Sequence, residues 1–138
     1  MKQLNHILLI DDSESINFYN QLIIEEANVT EKCTFLLSAE KGLEYLQEYD
    51  KEKYPLPNII FLDINMPKMN GWEFIEEFDE LDKSITGNIA LFMLTTSTNE
   101  DDIDKSKSYK TVKDYLTKPL KVEELNRAIE IYYQSNLE

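Results

Sequence analysis

Residues 59–62 read Ile-Ile-Phe-Leu, an unbroken apolar run that stops at a single acid, Asp63. So short a run, bounded by turn formers, suits a strand buried on both faces of a parallel sheet. That requirement constrains the whole chain, because such a strand needs neighbours on both edges and helices on both sides. Pro67 ends regular structure beyond it, and Asn70-Gly71 reads as a turn. Asp63 is therefore expected where a central strand opens into a loop, the place where open α/β sheets bind their ligands. A carboxylate there points to a nucleophile that accepts a phosphoryl group.

The rest of the chain repeats the pattern. Ile7-Leu8-Leu9-Ile10 ends at Asp11-Asp12, and Ala90-Leu91-Phe92-Met93-Leu94 ends at Thr95. Thr34-Phe35-Leu36-Leu37 is a shorter run. Residues 112–116 alternate Val-Lys-Asp-Tyr-Leu, as a half-exposed strand does, and lead into Thr117-Lys118-Pro119. Helical stripes lie between these runs. The first is Ile16, Tyr19, Ile23, Ile24 and Ala27, with Asp12 or Ser13 as its N-cap. The second, Ala39, Leu43 and Leu46, fades near Tyr49 and Asp50. The third is Ile75, Phe78 and Leu81, flanked by Trp72 and Phe74. Residues 99–109 are weakly amphipathic around Ile103, and Val122, Leu125, Ala128, Ile129 and Tyr132 form the last stripe.

Five strands alternating with five helices imply an α/β fold, a doubly wound sandwich around a parallel five-stranded sheet. The continuously apolar first, third and fourth strands belong in the centre and the mixed second and fifth at the edges. The order is then 2-1-3-4-5, with its switch point between strands one and three. That order brings Asp11, Asp12 and Asp63 together.

Composition narrows the function. With 138 residues, a single domain covering 1–138 is expected, and no residues remain after the last stripe for an output domain. A formal charge of -13 argues against nucleic acid or anionic lipid as a partner, since both need cationic side chains. Cys33 is the only cysteine, which fits a reducing compartment. The apolar run near the N-terminus is too brief for a signal peptide or membrane span, so a cytoplasmic protein is expected. His6 carries no expected chemistry. The Tyr132-Tyr133 pair and the Trp72, Phe74 and Phe78 group read as helix packing.

Three carboxylates in one crevice repel each other, so one protonates or a cation joins them. With no histidine or cysteine in the set, an oxygen-preferring cation such as Mg²⁺ is favoured over zinc. Lys118 at the end of strand five can reach a carboxylate or phosphoryl oxygen, and Thr95 at the end of strand four offers a hydroxyl. An acid nucleophile, a divalent cation, an ammonium and a hydroxyl make a phosphoryl-transfer site, where catalysis is mainly positioning and charge neutralisation.

At these residues the sequence resembles the receiver domain of two-component response regulators, of the chemotaxis-regulator-like type with a flavodoxin-like (βα)5 fold. The resemblance spans nearly the whole chain. It rests on Asp11-Asp12, Leu62-Asp63-Ile64-Asn65-Met66-Pro67 with Gly71, Thr95, Tyr115 and Lys118-Pro119. It implies that Asp63 is the phosphoacceptor, that Asp12 binds Mg²⁺ directly and that Asp11 acts mostly through a metal-bound water. The backbone carbonyl of Asn65 supplies a further metal oxygen. Lys118 pairs with the phosphoryl group, the Thr95 hydroxyl moves onto it, and Tyr115 is the aromatic switch that reshapes the surface of helix four, strand five and helix five. The Lys118-Pro119 bond is often cis in such domains.

The implied role is a phosphoacceptor signalling protein rather than an enzyme with an external substrate. Its donor is a phosphohistidine on a sensor histidine kinase or histidine phosphotransfer protein. It signals to a downstream protein as a monomer or a weak phosphorylation-dependent dimer. Lys105, Lys107, Lys110 and Lys113 among acids give the expected output face mixed charge.

Departures from the common pattern are Thr96, bulkier than usual beside Thr95, uncharged residues at Asn65 and Ser97, and a long loop at 50–58. Two other readings use the same residues. In a pseudo-receiver the fold docks without phosphorylation, and the complete acid set argues against it. A haloacid-dehalogenase-type phosphatase needs a second acid two residues after the nucleophile, where this chain has Asn65.

Overall fold

Strands and helices alternate along the chain so that a parallel sheet is covered on both faces. The computed structural model describes residues 3–49, 53–96 and 99–136. The strands are β1 (Leu4–Ile10), β2 (Thr30–Leu36), β3 (Ile59–Leu62), β4 (Ala90–Thr95) and β5 (Val112–Thr117). They lie in the order β2-β1-β3-β4-β5, every neighbouring pair parallel, as the run-by-run polarity predicts. The helices are α1 (Glu14–Ala27), α2 (Ala39–Gln47), α3 (Gly71–Glu80), α4 (Lys83–Thr86), α5 (Glu100–Lys107) and α6 (Val122–Ser135).

The expected count of five helices becomes six because of α4, a single turn too short to show periodicity. Asp82 caps it by accepting a hydrogen bond from the Ser84 N–H at 2.8 Å. The predicted fourth and fifth helices are therefore α5 and α6.

Side-chain alternation divides the core into two layers. Leu8, Ile10, Ile60, Leu62, Leu91 and Met93 face α2 and α3, packing on Leu46, Phe74 and Ile75. Ile7, Leu9, Ile59, Phe61, Phe92 and Leu94 face the other way, onto Ile24 of α1 and Leu125 and Ala128 of α6. All four residues of β3 are buried, which is why no polar residue interrupts the run before Asp63.

Capping side chains set where helices begin. Ser13 and Ser38 cap α1 and α2. Asn70 opens α3 in a capping box, accepting from the Glu73 N–H at 2.9 Å while Glu73 accepts from the Asn70 N–H at 3.0 Å. Asn70-Gly71 is thus a helix start rather than a free turn, and the left-handed residue of this loop is Lys68, at φ 69°.

Two further expectations shift. β2 begins at Thr30, four residues before its apolar run, because its polar start pairs with β1 from Leu4 onward and an edge strand tolerates polar residues. The buried face of α1 is Asn17, Asn20 and Ile24, while Tyr19 is 48% exposed. The Lys118-Pro119 bond is cis. Residues 50–52 of the long loop and Ser97 lie outside the described residues. The end of that loop is tied down by the Asn58 side chain, which accepts from the Asn5 and His6 N–H groups at 2.8 and 3.0 Å.

Candidate functional site

β1 and β3 end side by side, Ile10 opposite Leu62, so the residues that follow them open onto the same crevice. The Asp63 N–H donates to the Ile10 carbonyl at 2.9 Å, which extends the pairing by one residue and sets Asp63 beside Asp11. On the far side the Lys118 N–H donates to the Thr95 carbonyl at 2.9 Å, so β5 delivers Lys118 toward the same notch.

Asp11, Asp12 and Asp63 each place a carboxylate oxygen within 4.8 Å of the others. Asp11 and Asp63 are buried and Asp12 is exposed. Lys118 Nζ lies 3.3 Å from Asp63 Oδ1 and pairs at closer range with Asp11 Oδ2. The Thr95 side chain, fully buried, hydrogen bonds Asp63. Burial lifts the Asp63 carboxyl above its ordinary range and the Asp11 charge adds to the rise. The Lys118 ammonium is the strongest influence holding it down, with the Thr95 bond a smaller one.

Three carboxylates face one ammonium here, leaving an excess of negative charge with an all-oxygen donor set. Those donors fit a hard divalent cation such as Mg²⁺ and offer nothing to a soft one.

Gly71 has a role at this notch that sequence patterning does not reveal. A Cβ on it would lie 2.5 Å from the Asp63 carbonyl oxygen and 2.9 Å from Ile64 Cα. The start of α3 therefore packs directly on the backbone that carries Asp63, and the Gly71 N–H donates to the Ile64 carbonyl at 2.8 Å.

The sequence-predicted residues divide by location. Asp11, Asp12, Asp63, Thr95 and Lys118 converge on the notch. Asn65 is exposed in the loop two residues beyond Asp63. Tyr115 is half-buried on β5 and packs against the α2–α3 side core, lining a cavity of about 340 Å³ between α5 and β5 with Ile103, Ser106 and Val112. Near this face Trp72 of α3 stacks on Tyr109, ring centroids 5.6 Å apart, and Lys105 lies 5.0 Å from the Trp72 ring centre.

The response regulator receiver domain family matches residues 7–130. The chain belongs to that family. A probable methanogenesis regulatory protein, FilR2 of Methanothrix harundinacea, is 30% identical over 90% of this chain and 78% of its own length. The response regulator Rcp1 of Synechocystis is also 30% identical, over 90% of this chain and 83% of its own. A two-component response regulator from Cytophaga hutchinsonii has a crystal structure that superposes with a TM-score of 0.88 at 29% identity, covering 96% of this chain and 99% of that one. The order of strands is thus that of a receiver domain.

Besides the packing role of Gly71, sequence patterning leaves three features of this receiver domain undetected. Asn17 and Asn20 are buried in α1, where amides interrupt an otherwise core-facing stripe. His6 is buried too: its Nδ1 donates to the Pro55 carbonyl at 2.9 Å and its Nε2 accepts from the Thr34 hydroxyl at 2.9 Å, the carbonyl fixing which nitrogen carries the proton. Burial, with a smaller push from the Glu25 charge, raises the Cys33 thiol to about 12, so it stays protonated near neutral pH. Among the described residues no helix is long and apolar enough to cross a membrane.

Proposed function

We propose that this receiver domain takes a phosphoryl group from a phosphohistidine, on a sensor histidine kinase or a histidine phosphotransfer protein, onto Asp63. One carboxylate oxygen of Asp63 attacks phosphorus. The N–P bond of the donor breaks, the imidazole leaves and takes up a proton from solvent, and an aspartyl phosphate remains. Water later attacks that phosphorus, releasing inorganic phosphate and restoring the carboxylate.

The single observation that carries this reading is the position of Lys118 Nζ, 3.3 Å from Asp63 Oδ1 in a buried notch shared with Asp11. An ammonium so placed meets one of the oxygens on which charge gathers in transfer, and the Thr95 hydroxyl can meet another. Asp11, Asp12, Asp63 and the Asn65 main-chain carbonyl would hold Mg²⁺, which supplies charge neutralisation at the transferring group.

The output is a shift between two arrangements of the α5–β5–α6 face, in which Tyr115 turns with Thr95 and a downstream protein reads the difference. The cavity beside Tyr115 gives that side chain room to move. Full switching, from about 1:99 to 99:1, requires about 5.5 kcal/mol of differential stabilisation. A net charge of -13 supports protein partners rather than nucleic acid or membrane, and a cytoplasmic monomer or weak phosphorylation-dependent dimer accords with it.

Incubation with Mg²⁺ and acetyl phosphate or phosphoramidate, followed by intact mass spectrometry, tests the assignment. One added phosphate is expected on the wild type and none on Asp63→Asn. An unmodified wild type, or an undiminished adduct on the variant, overturns it.

A further inference from the structure

Helix α1 buries two amide side chains where an amphipathic helix ordinarily buries apolar ones. Asn17 is 1% and Asn20 2% exposed, and their three-residue spacing places them on one face. The Asn17 Nδ2 donates to the main-chain carbonyl of Asp11 at 2.7 Å. The Asn20 Oδ1 accepts from the Leu120 N–H at 3.2 Å, bridging one hundred positions of sequence. Asp11 is part of the acid notch, and Leu120 lies two residues beyond Lys118. One turn of α1 thus grips both walls of the site.

Asp11 is held from several directions at once. Its N–H donates to the Leu36 carbonyl at 3.2 Å, and its Oδ1 accepts from the Ser13 N–H at 2.9 Å, which leaves Oδ2 for Lys118. Asn17 supplies the remaining main-chain bond. Its own Oδ1 is buried without a hydrogen-bond partner, next to a narrow void that Leu9, Phe61 and Leu94 also line. A leucine at 17 would remove the unpartnered Oδ1 but leave the Asp11 carbonyl without its donor, exchanging one unpaired buried acceptor for another. What the amide adds over an apolar side chain is therefore its bond to Asp11.

We propose that Asn17 and Asn20 form a polar strut that sets the acid pair and the Lys118 segment in register, making both asparagines positioning residues for phosphoryl transfer to Asp63. Asn17 fixes the direction of the Asp11–Asp12 backbone and Asn20 fixes the approach of the Lys118 arm. The proposal rests on the phosphoacceptor reading above and deepens it. Groups that orient metal ligands typically change affinity or activity by about 10- to 100-fold when removed.

The test uses Asn17→Leu and Asn20→Leu in the full chain. It has four readouts: thermal melting, calorimetric titration with Mg²⁺ alone, hydrogen exchange at the Leu120 amide without metal, and phosphorylation by phosphoramidate at saturating Mg²⁺. Asn17→Leu is expected to bind Mg²⁺ about 10-fold more weakly while melting close to the wild type, since one unpaired buried acceptor replaces another. Loss of affinity without a matching loss of stability is not produced by a residue that only holds the fold together. Asn20→Leu is expected to speed exchange at Leu120 and lower the saturating phosphorylation rate about 10-fold, with the half-saturating donor concentration and Mg²⁺ affinity unchanged.

Cooperative melting of both variants with wild-type Mg²⁺ affinity and rate overturns the strut. Loss of cooperative melting in either variant makes that asparagine a folding residue and overturns its part of the proposal. If the wild type accepts no phosphoryl group, the phosphoacceptor reading fails alone, and the Mg²⁺ titration and Leu120 exchange still decide the strut.

Discussion

Lys118 Nζ lies 3.3 Å from Asp63 Oδ1 and also pairs with Asp11 Oδ2, with 7% of each of these side chains exposed. A single ammonium therefore bridges two buried carboxylates and is their main compensation in the protein itself. Its removal leaves two like charges facing each other in a poorly solvated notch, a situation that costs more than the pair contributes when intact.

Lys118→Met keeps the apolar stem and deletes the charge. It is expected to lower stability by about 3 kcal/mol in Mg²⁺-free buffer, the cost of breaking a buried ion pair from one side. Mg²⁺ should recover much of that loss, because it supplies the missing positive charge, while phosphorylation by phosphoramidate stays slow. Denaturant melts with and without Mg²⁺ check the first part and intact mass the second.

An Mg²⁺ ion held by the acid cluster as proposed would stabilise the folded state alone. At one hundred times its dissociation constant, Mg²⁺ should add about 2.7 kcal/mol to stability, a rise on the order of 10 °C in melting temperature. Asp12→Ala removes the exposed member of the cluster and leaves the buried pair with Lys118 in place. Its melting temperature without metal should match the wild type, and the Mg²⁺-dependent rise should largely vanish.

His6 gives the protein a pH dependence remote from the notch. Burial pushes its imidazole down from 6.5 to about 4, and nearby Lys32 pushes the same way, while the bond to Pro55 opposes them. In the unfolded chain the ring takes up a proton as pH falls through 6.5, and in the folded protein it resists until about 4. The contribution is therefore full above 6.5 and is lost as pH falls toward 4. Two and a half units correspond to about 3 kcal/mol. His6→Gln does not titrate, so its stability should change less across this window in denaturant melts at pH 7.5, 5.5 and 4.5.

Much of this arrangement is legible in the sequence because burial on both faces leaves an unbroken apolar run. Ile59 to Leu62, Ile7 to Ile10 and Ala90 to Leu94 announce the central strands, and the first polar residue after each marks its open end. That is enough to bring Asp11, Asp63 and Thr95 together, and Lys118 follows from the alternation of β5. β2 is less legible because its polar first half joins the sheet through backbone pairing alone. The face of α1 is partly misread because Tyr19 is aromatic yet exposed, while Asn17 and Asn20 are polar yet buried. His6 finds its partners 28 and 49 positions away, and no local pattern encodes such contacts.

Gly71 owes its identity to space rather than to backbone conformation, since no glycine among the described residues has positive φ. Replacing an unstrained glycine by alanine ordinarily stabilises a protein by about 0.4–1 kcal/mol. Here the new Cβ would meet the Asp63 carbonyl oxygen at 2.5 Å and Ile64 Cα at 2.9 Å, both backbone atoms that no rotamer change can move. Overpacking of that kind costs about 1–3 kcal/mol, so the strain wins. Gly71→Ala should therefore lose about 2 kcal/mol of stability. Relief of the clash has to push α3 away from β3 or displace the backbone of Asp63. The second route misplaces the proposed nucleophile relative to Lys118, and a shift of about 1 Å is enough to slow a positioned reaction about 100-fold. Phosphoramidate kinetics separate the two: a slowed rate at saturating Mg²⁺ identifies movement of Asp63, and a wild-type rate with lowered stability identifies movement of α3.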